Sequence, residues 1–437
     1  MGVEIPAQVF AERRRALLNQ IGPQAVAVVA AAPEQIRNRD AHYPYRQDSD
    51  FQYLTGFPEP EAVLLLAPGR EDGEVLLFCR DRDPDREIWD GRRAGPEGAM
   101  KQYGADEAFA IDDLDELLPK LLTGRERLYH TLGEREEFDQ FLLHSLHELR
   151  SKNRSGVAVP TEVVALDPVL HEMRLIKSAA EIAAMQQAAS VSAAAHQRAM
   201  RLCQPGVMEY QLAAEIHHEF ERNGMVPAYG TIVGGGENGC ILHYVENSAA
   251  LQDGDLVLID AGGEYDCYAA DITRTFPVNG RFTAPQKAVY EVVLAAQQAA
   301  IEQVRVGNTW NAPHAAAVHA LTAGLMELGL LKGKLDDLIE NEAYRRFYMH
   351  NTGHWLGMDV HDVGAYKLAG EWRELQSGMV LTVEPGLYIN AADDIDAQFH
   401  NIGIRIEDDV LVTDGEALVL TAAAPKTVAD IEALMAA

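Results

Sequence analysis

Cysteine is scarce in this chain. There are four in 437 residues, Cys79, Cys203, Cys240 and Cys267, with no CxxC pair and no zinc-like spacing. That excludes a disulfide framework and predicts four reduced thiols in a reducing compartment. Long apolar runs are missing too. The longest near the N-terminus, residues 25–32, is far too short to span a bilayer. It lies behind Glu4, Glu12 and Arg13 to Arg15, a poor setting for a signal peptide. A cytoplasmic protein is the expectation. Positive charge is in deficit: 37 Lys and Arg face 67 Asp and Glu, for a net charge of -30. Such a surface repels nucleic acid and anionic lipid, so neither is expected as a partner. Several common motifs are absent. Gly234-Gly235-Gly236 with Gly239 lacks the Lys-Ser/Thr ending of a phosphate loop and reads as a flexible loop. His217-His218-Glu219 and His171-Glu172 lack a second His four residues on, and no Ser or Cys sits on a nucleophile elbow.

What remains is ordinary in composition, with 47% hydrophobic and 24% charged residues, and long enough for two domains. The first 170 or so residues alternate helical and strand patterns. Residues 6–20, 112–122 and 134–149 read as helices, and 25–31, 62–67, 74–78 and 127–132 as strands. The polar stretch 151–156 reads as a loop. Ala-rich helices follow over 179–201, stopped by Gln204-Pro205-Gly206, and over 209–223, stopped by Gly224. The expected fold class is α/β (α+β), with a first domain over 1–172 and a second over 173–437.

The second domain carries four acids and one histidine, each in its own short string: Asp260 in LVLIDAGGEY, Asp271 in YAADITRTF, His354 in HNTGHWLGMDVHD, Glu384 in MVLTVEPGLYI and Glu407 in NIGIRIEDDV. Twice an apolar strand delivers an acid to a Gly turn, and another acid follows the run 402–406. Buried carboxylates are costly unless something positive compensates them. Four of them with one imidazole suit a pair of divalent cations. The set is hard and rich in oxygen, so manganese, cobalt or iron fits at least as well as zinc. Two such ions roughly 3.5 Å apart share a water and lower its pKa toward ~7, which points to amide hydrolysis. Asp260 and Asp271 stand 11 residues apart through Gly262 and Gly263, a spacing that fits a hairpin. Any one of these acids alone reads equally as a surface acid at a strand end, and His354 alone as a structural histidine. It is the set that points to metal.

The domain also repeats itself. LQDGDLVLIDAG at 251–262 aligns without a gap to LQSGMVLTVEPG at 375–386, matching Asp260 to Glu384. Each copy is followed by another acid, Asp271 or Glu407, and preceded by a histidine, His243 or His361. This predicts an internal duplication about a pseudo-twofold axis, with a shared dinuclear site. His243 and His361 are candidates for holding a substrate carbonyl and stabilising a tetrahedral intermediate, or are helper histidines with structural hydrogen bonds. Arg405 lies two residues before Glu407, on the same side of a strand, and is expected to orient an acidic ligand.

The strings HNTGHWLGMDVHD, LTVEPGLYI and GIRIEDDV, with IDAG and ADITRTF upstream, resemble the metallopeptidases of the pita-bread fold, and within them the Xaa-Pro aminopeptidases (aminopeptidase P). YRQDSDFQYLTGF at 45–57 is similar to the same family, so the resemblance spans nearly the whole chain. It implies a creatinase-like N-terminal domain, serving oligomerisation or substrate access, and a catalytic pita-bread domain. It implies two metal ions, usually Mn2+, with Co2+, Fe2+ or Zn2+ as alternatives. Asp260 would hold one metal, Asp271 and Glu407 would bridge both, and His354 with Glu384 would hold the other. His243, His361 and Arg405 match family residues around the site, His350 a position near the proline pocket, and Glu384 a proton shuttle. The implied reaction removes an N-terminal residue when proline is second, and a homo-oligomer, tetramer or dimer, is implied. One departure stands out. The family's usual HGTSHWLG is here HNTGHWLG, so Asn351 and Gly353 bear on loop flexibility or substrate preference. The rivals are prolidase, limited to Xaa-Pro dipeptides, then methionine aminopeptidase, creatinase and a non-enzymatic binding module of the same fold. Trp89, in EIWDGRR, reads either as a packing residue or as a contact to substrate across a subunit interface.

Overall fold

The computed structural model describes residues 3–151, 156 and 158–436, so most of the loop expected at 151–156 lies outside the described residues. The chain is a mixed α/β protein of two compact units, Ile5–Met173 and, together with Met1–Glu4, Arg174–Ala437.

The first unit is built on a six-stranded mixed sheet. Its strand order is Glu107–Ala110, Val75–Cys79, Val63–Leu66, Ala25–Ala30, Arg127–Tyr129, Glu162–Val164. Ala25–Ala30 runs antiparallel to Val63–Leu66 and parallel to Arg127–Tyr129. The central strands are continuous apolar runs because both their faces are covered. Val26, Val28, Val63 and Leu65 pack with Leu118, Leu122, Leu142 and Leu146 of the helices Leu114–Leu122 and Glu136–Ser151. Trp89, on the short helix Pro84–Asp90, is 84% exposed.

In the second unit, two long helices start at capping boxes. Ser178 and Glu181 open Ala179–Leu202, and Thr283 and Gln286 open Ala284–Ile301. Each box satisfies two otherwise unpaired N–H groups reciprocally. These helices, with Glu209–Arg222 and Ala312–Glu327, cover strands that share one large core. The stretch 234–236, read from sequence as a flexible loop, is instead the end of the strand Ile232–Gly235 and the start of a short 3-10 helix, Gly236–Cys240. Ile232–Gly235 pairs with the strand Leu256–Asp260. The buried Glu209 carboxylate also pins it, accepting from the Gly235 N–H, the Asn238 amide, the Tyr244 hydroxyl and the Ala249 N–H.

The two sequence copies form matching ladders. Leu256–Asp260 pairs antiparallel with Thr273–Pro277, and Val380–Val383 with Asp408–Leu411. Ile259 faces Arg274, and its counterpart Val383 faces Asp408. Arg274 and Asp408 therefore hold equivalent positions, and they touch: guanidinium and carboxylate lie 2.7 Å apart, fully buried. One residue earlier, the Thr273 hydroxyl donates to Glu407 at 2.6 Å. Contact between equivalent positions is what a local twofold axis produces. The same count pairs Glu407 with Thr273, so the second acids of the two copies are not strict counterparts, and each sits just before its strand.

Candidate metal centre

The ladder ends deliver the acids. Asp260 closes Leu256–Asp260, directly opposite Thr273, so Asp260 and Asp271 flank one strand end as the hairpin spacing predicted. Tyr229 joins them, with its hydroxyl 2.6 Å from Asp260 Oδ1 and 2.5 Å from Asp271 Oδ1. His354 Nε2 stands 3.5 Å from Asp271 Oδ2 and 3.7 Å from Glu384 Oε1. Ligand atoms of Asp271, His354 and Glu407 all lie within 4.8 Å of one another. Five residues named from sequence are therefore brought to one place. Asp260 reaches the group through Tyr229, and Glu384 reaches it beside His354.

Around them stand the other candidates. Arg405 ends the strand Ile402–Arg405 and donates to Asp260 Oδ2 at 2.5 Å, to Thr273 Oγ1 at 3.0 Å and to the Tyr388 hydroxyl at 3.0 Å. Because the Thr273 hydroxyl also binds Glu407, Arg405 and Glu407 do share one side. The His350 ring bonds the Tyr388 hydroxyl at 2.8 Å and lies 3.8 Å from Glu384. The His361 ring packs on His354 with centroids 4.1 Å apart, and both His361 and His243 are exposed on the wall of a cavity of about 940 Å3 that contains the acids.

The electrostatics are those of a site made for cations. Burial and the neighbouring charges of Asp271 and Glu384 hold the Glu407 carboxyl far above its ordinary range. Burial raises Asp260 despite Arg405, and pushes Glu384 to about 7 against the pull of His354 and Arg405. Burial opposes a charge on His354, but the hydrogen bond to Asp271 and the charge of Glu384 overcome it and carry the imidazole to about 9. Burial lowers His350 to about 3, helped by Arg405, and burial with the charge of His354 lowers His361. Burial thus favours the protonated forms of Asp260, Glu384 and Glu407, and divalent cations bound there would replace those protons. The donor set, four carboxylates and one imidazole with no thiolate, fits such ions.

Sequence reasoning missed several contacts. Tyr229 stands in an unremarkable Pro-Ala-Tyr-Gly stretch, and nothing local marks it. Asp409 accepts the Asp271 N–H at 3.1 and 3.2 Å and is itself buried, with its carboxyl far above the usual range through burial and the charge of Asp271. Its presence in IEDDV was a legible signal. Thr382 donates its hydroxyl toward Glu384 and accepts the His354 N–H at 3.0 Å. Asp362, next to His361, is buried between Arg174 at 2.6 Å and Lys177 at 2.9 Å, a pairing that stiffens the segment bearing His361.

The family model for metallopeptidase family M24 matches residues 183–414, and the model for the aminopeptidase P N-terminal domain matches residues 10–129. The chain belongs to metallopeptidase family M24. All five clustered residues fall inside the M24 match. The Xaa-Pro aminopeptidase of Escherichia coli (strain K12) is 48% identical over 436 residues, 99% of each chain. Xaa-Pro aminopeptidase 3 of Homo sapiens is 37% identical over 425 residues, 94% of this chain and 81% of its own length. Among solved structures, that of Pseudomonas aeruginosa aminopeptidase PepP superposes with a TM-score of 0.98 at 58% identity, covering 99% of each chain. This M24 protein is thus an enzyme of the hydrolase class, from a family of metal-dependent peptidases.

Proposed function

We propose that this enzyme is an Xaa-Pro aminopeptidase with two divalent metal ions, most simply Mn2+, releasing the N-terminal residue from peptides with proline second. The observation that carries the reading is the convergence of Asp271, His354 and Glu407, flanked by Asp260 and Glu384, in one cavity. The near full-length likeness to proteins named Xaa-Pro aminopeptidase supports the substrate class. In this reading Asp260, Asp271, His354, Glu384 and Glu407 would hold the cations. Bound there, the ions supply Lewis acidity and a water of lowered pKa. The chain's own residues do the rest. Tyr229 and Arg405 fix the Asp260 and Asp271 carboxylates, and the Thr382 hydroxyl keeps His354 and Glu384 in register. Glu384, beside His354, shuttles a proton to the leaving proline nitrogen. His243 and His361 hold the substrate carbonyl and the tetrahedral intermediate, and His350 lines the proline side.

We extend the proposal to a first unit that serves oligomerisation and substrate access, a homo-oligomeric assembly and a cytoplasmic location. Among the described residues no helix is long and apolar enough to cross a membrane. Metal analysis of the purified protein tests the core of the reading. Two equivalents of divalent metal per chain are expected after manganese loading, and a protein that retains none contradicts it.

A further inference from the structure

A short hairpin stands on the wall of the same cavity, and the mechanism above does not use it. Its strands are Lys367–Leu368 and Glu371–Trp372, with Lys367 directly opposite Trp372. The two turn residues, Ala369 and Gly370, have φ of 51° and 91°. Positive φ at both central positions is the tight turn that matches the twist of paired strands. The hairpin is well rooted. The Arg373 N–H donates to the Tyr366 carbonyl at 3.0 Å, and the Trp310 N–H to the Arg373 carbonyl at 2.8 Å. Below it, Tyr366 stacks on the fully buried Trp355 with an interplanar angle of 3°, and Trp310 wedges against both.

Lys367 is exceptional in its charge. It lines the cavity with one other permanent cation, Arg405, and Arg405 is committed to Asp260, Thr273 and Tyr388. The Lys367 ammonium lies 4.2 Å from the Trp372 ring centroid, and among the described residues it forms no ion pair. A lysine held over an aromatic ring at a cavity wall, with no carboxylate paired to it among the described residues, keeps its charge available to an incoming anion. Trp372 is 40% exposed, whereas Asp271 and Glu407 are buried, so the hairpin lies toward the cavity mouth. A peptide with its reacting N-terminal end at the acids runs its remaining residues outward, toward this mouth.

We infer that Lys367, seated on Trp372, is a binding subsite for a carboxylate carried by the peptide beyond its second residue. The inference rests on the aminopeptidase reading above. The carboxylate has two sources, the peptide's own C-terminus or an acidic side chain.

Two substrate pairs separate them: a tripeptide Ala-Pro-Ala as free acid and as amide, and a tetrapeptide amide Ala-Pro-Ala-Xaa with Xaa either Glu or Gln. For the manganese-loaded enzyme, kcat/KM is measured within each pair, so general effects of a substitution cancel in the ratio. Wild type is expected to favour the anionic member of at least one pair by about threefold through KM, the size of an exposed ion pair, and less so at high salt. The ratio should fall to one in Lys367→Ala, drop below one in Lys367→Glu and survive in Lys367→Arg. The pair that responds identifies the source. A carboxylate preference unchanged in Lys367→Ala, or no preference in wild type for either pair, overturns the inference. A wild-type enzyme that cleaves none of the four peptides overturns the aminopeptidase reading instead.

Discussion

Asp271 is the residue on which the centre turns. Its carboxylate accepts from Tyr229 and faces His354, and its own N–H is held by Asp409. Asp271→Ala should abolish both metal binding and peptidase activity while leaving the fold largely intact, as read by metal analysis, activity and circular dichroism. Full activity in that variant would exclude a shared-ligand role. His361 belongs to the other kind of site residue. It packs on His354, ring against ring with centroids 4.1 Å apart, and is exposed to the cavity. His361→Ala should lower turnover with metal content unchanged, and metal loss would make it a ligand. The contrast explains what was legible in the sequence. Asp260, Asp271, His354, Glu384 and Glu407 each stand in a distinctive string, whereas Tyr229 reaches the acids only through the fold, across 31 and 42 residues.

At the scale of elements, the two ladders meet at a buried node. Asp408 accepts from Arg274, Gln297, Thr421 and Lys426. Burial opposes its charge, but Arg274 and Lys426 hold the carboxyl well below its ordinary range. A carboxyl lowered on folding contributes stability that is present above its unfolded pKa of ~3.9 and lost as pH falls through the folded value. Asp408→Asn leaves Arg274 buried beside a neutral partner and should cost about 3–5 kcal/mol at neutral pH. In urea denaturation the gap from wild type should narrow below about pH 4. A constant gap would mean the pair is not the source. The segment before His354 gives a second test. A Cβ on Gly353 would stand 2.0 Å from the Thr382 carbonyl oxygen, a backbone atom that cannot swing aside. Gly353→Ser should therefore destabilise by about 1–3 kcal/mol and disturb His354, and an unchanged melting temperature would contradict this. Sequence alone marked Gly353 as a departure from the family pattern. Its close approach to a strand 29 residues away appears only once Thr382 is paired to His354.

For the whole molecule, metal binding should be coupled to folding. Without cations, Glu384 is raised to about 7 and His354 to about 9. A raised carboxyl destabilises the folded state as pH climbs from its unfolded ~4.3 toward the folded value. A raised imidazole contributes stability below ~6.5 that is lost as pH rises through the folded value. Both signs agree, so the chelated protein should melt lower as pH rises from about 5 to about 9, and added Mn2+ should raise the melting temperature more at each step. A pH-independent metal effect would argue against ligands that must shed protons. The two-unit α/β organisation was readable from alternating patterns and the gapless repeat. The strict pairing of Arg274 with Asp408 was not, since it depends on ladder register rather than on either copy alone.

The most direct test of the account is mass spectrometry of a tripeptide Xaa-Pro-Yaa and a dipeptide Xaa-Pro, each incubated with the enzyme plus manganese or plus chelator. The account predicts metal-dependent release of Xaa from the tripeptide, abolished by chelation. Cleavage of the dipeptide alone, or of neither peptide, would contradict it.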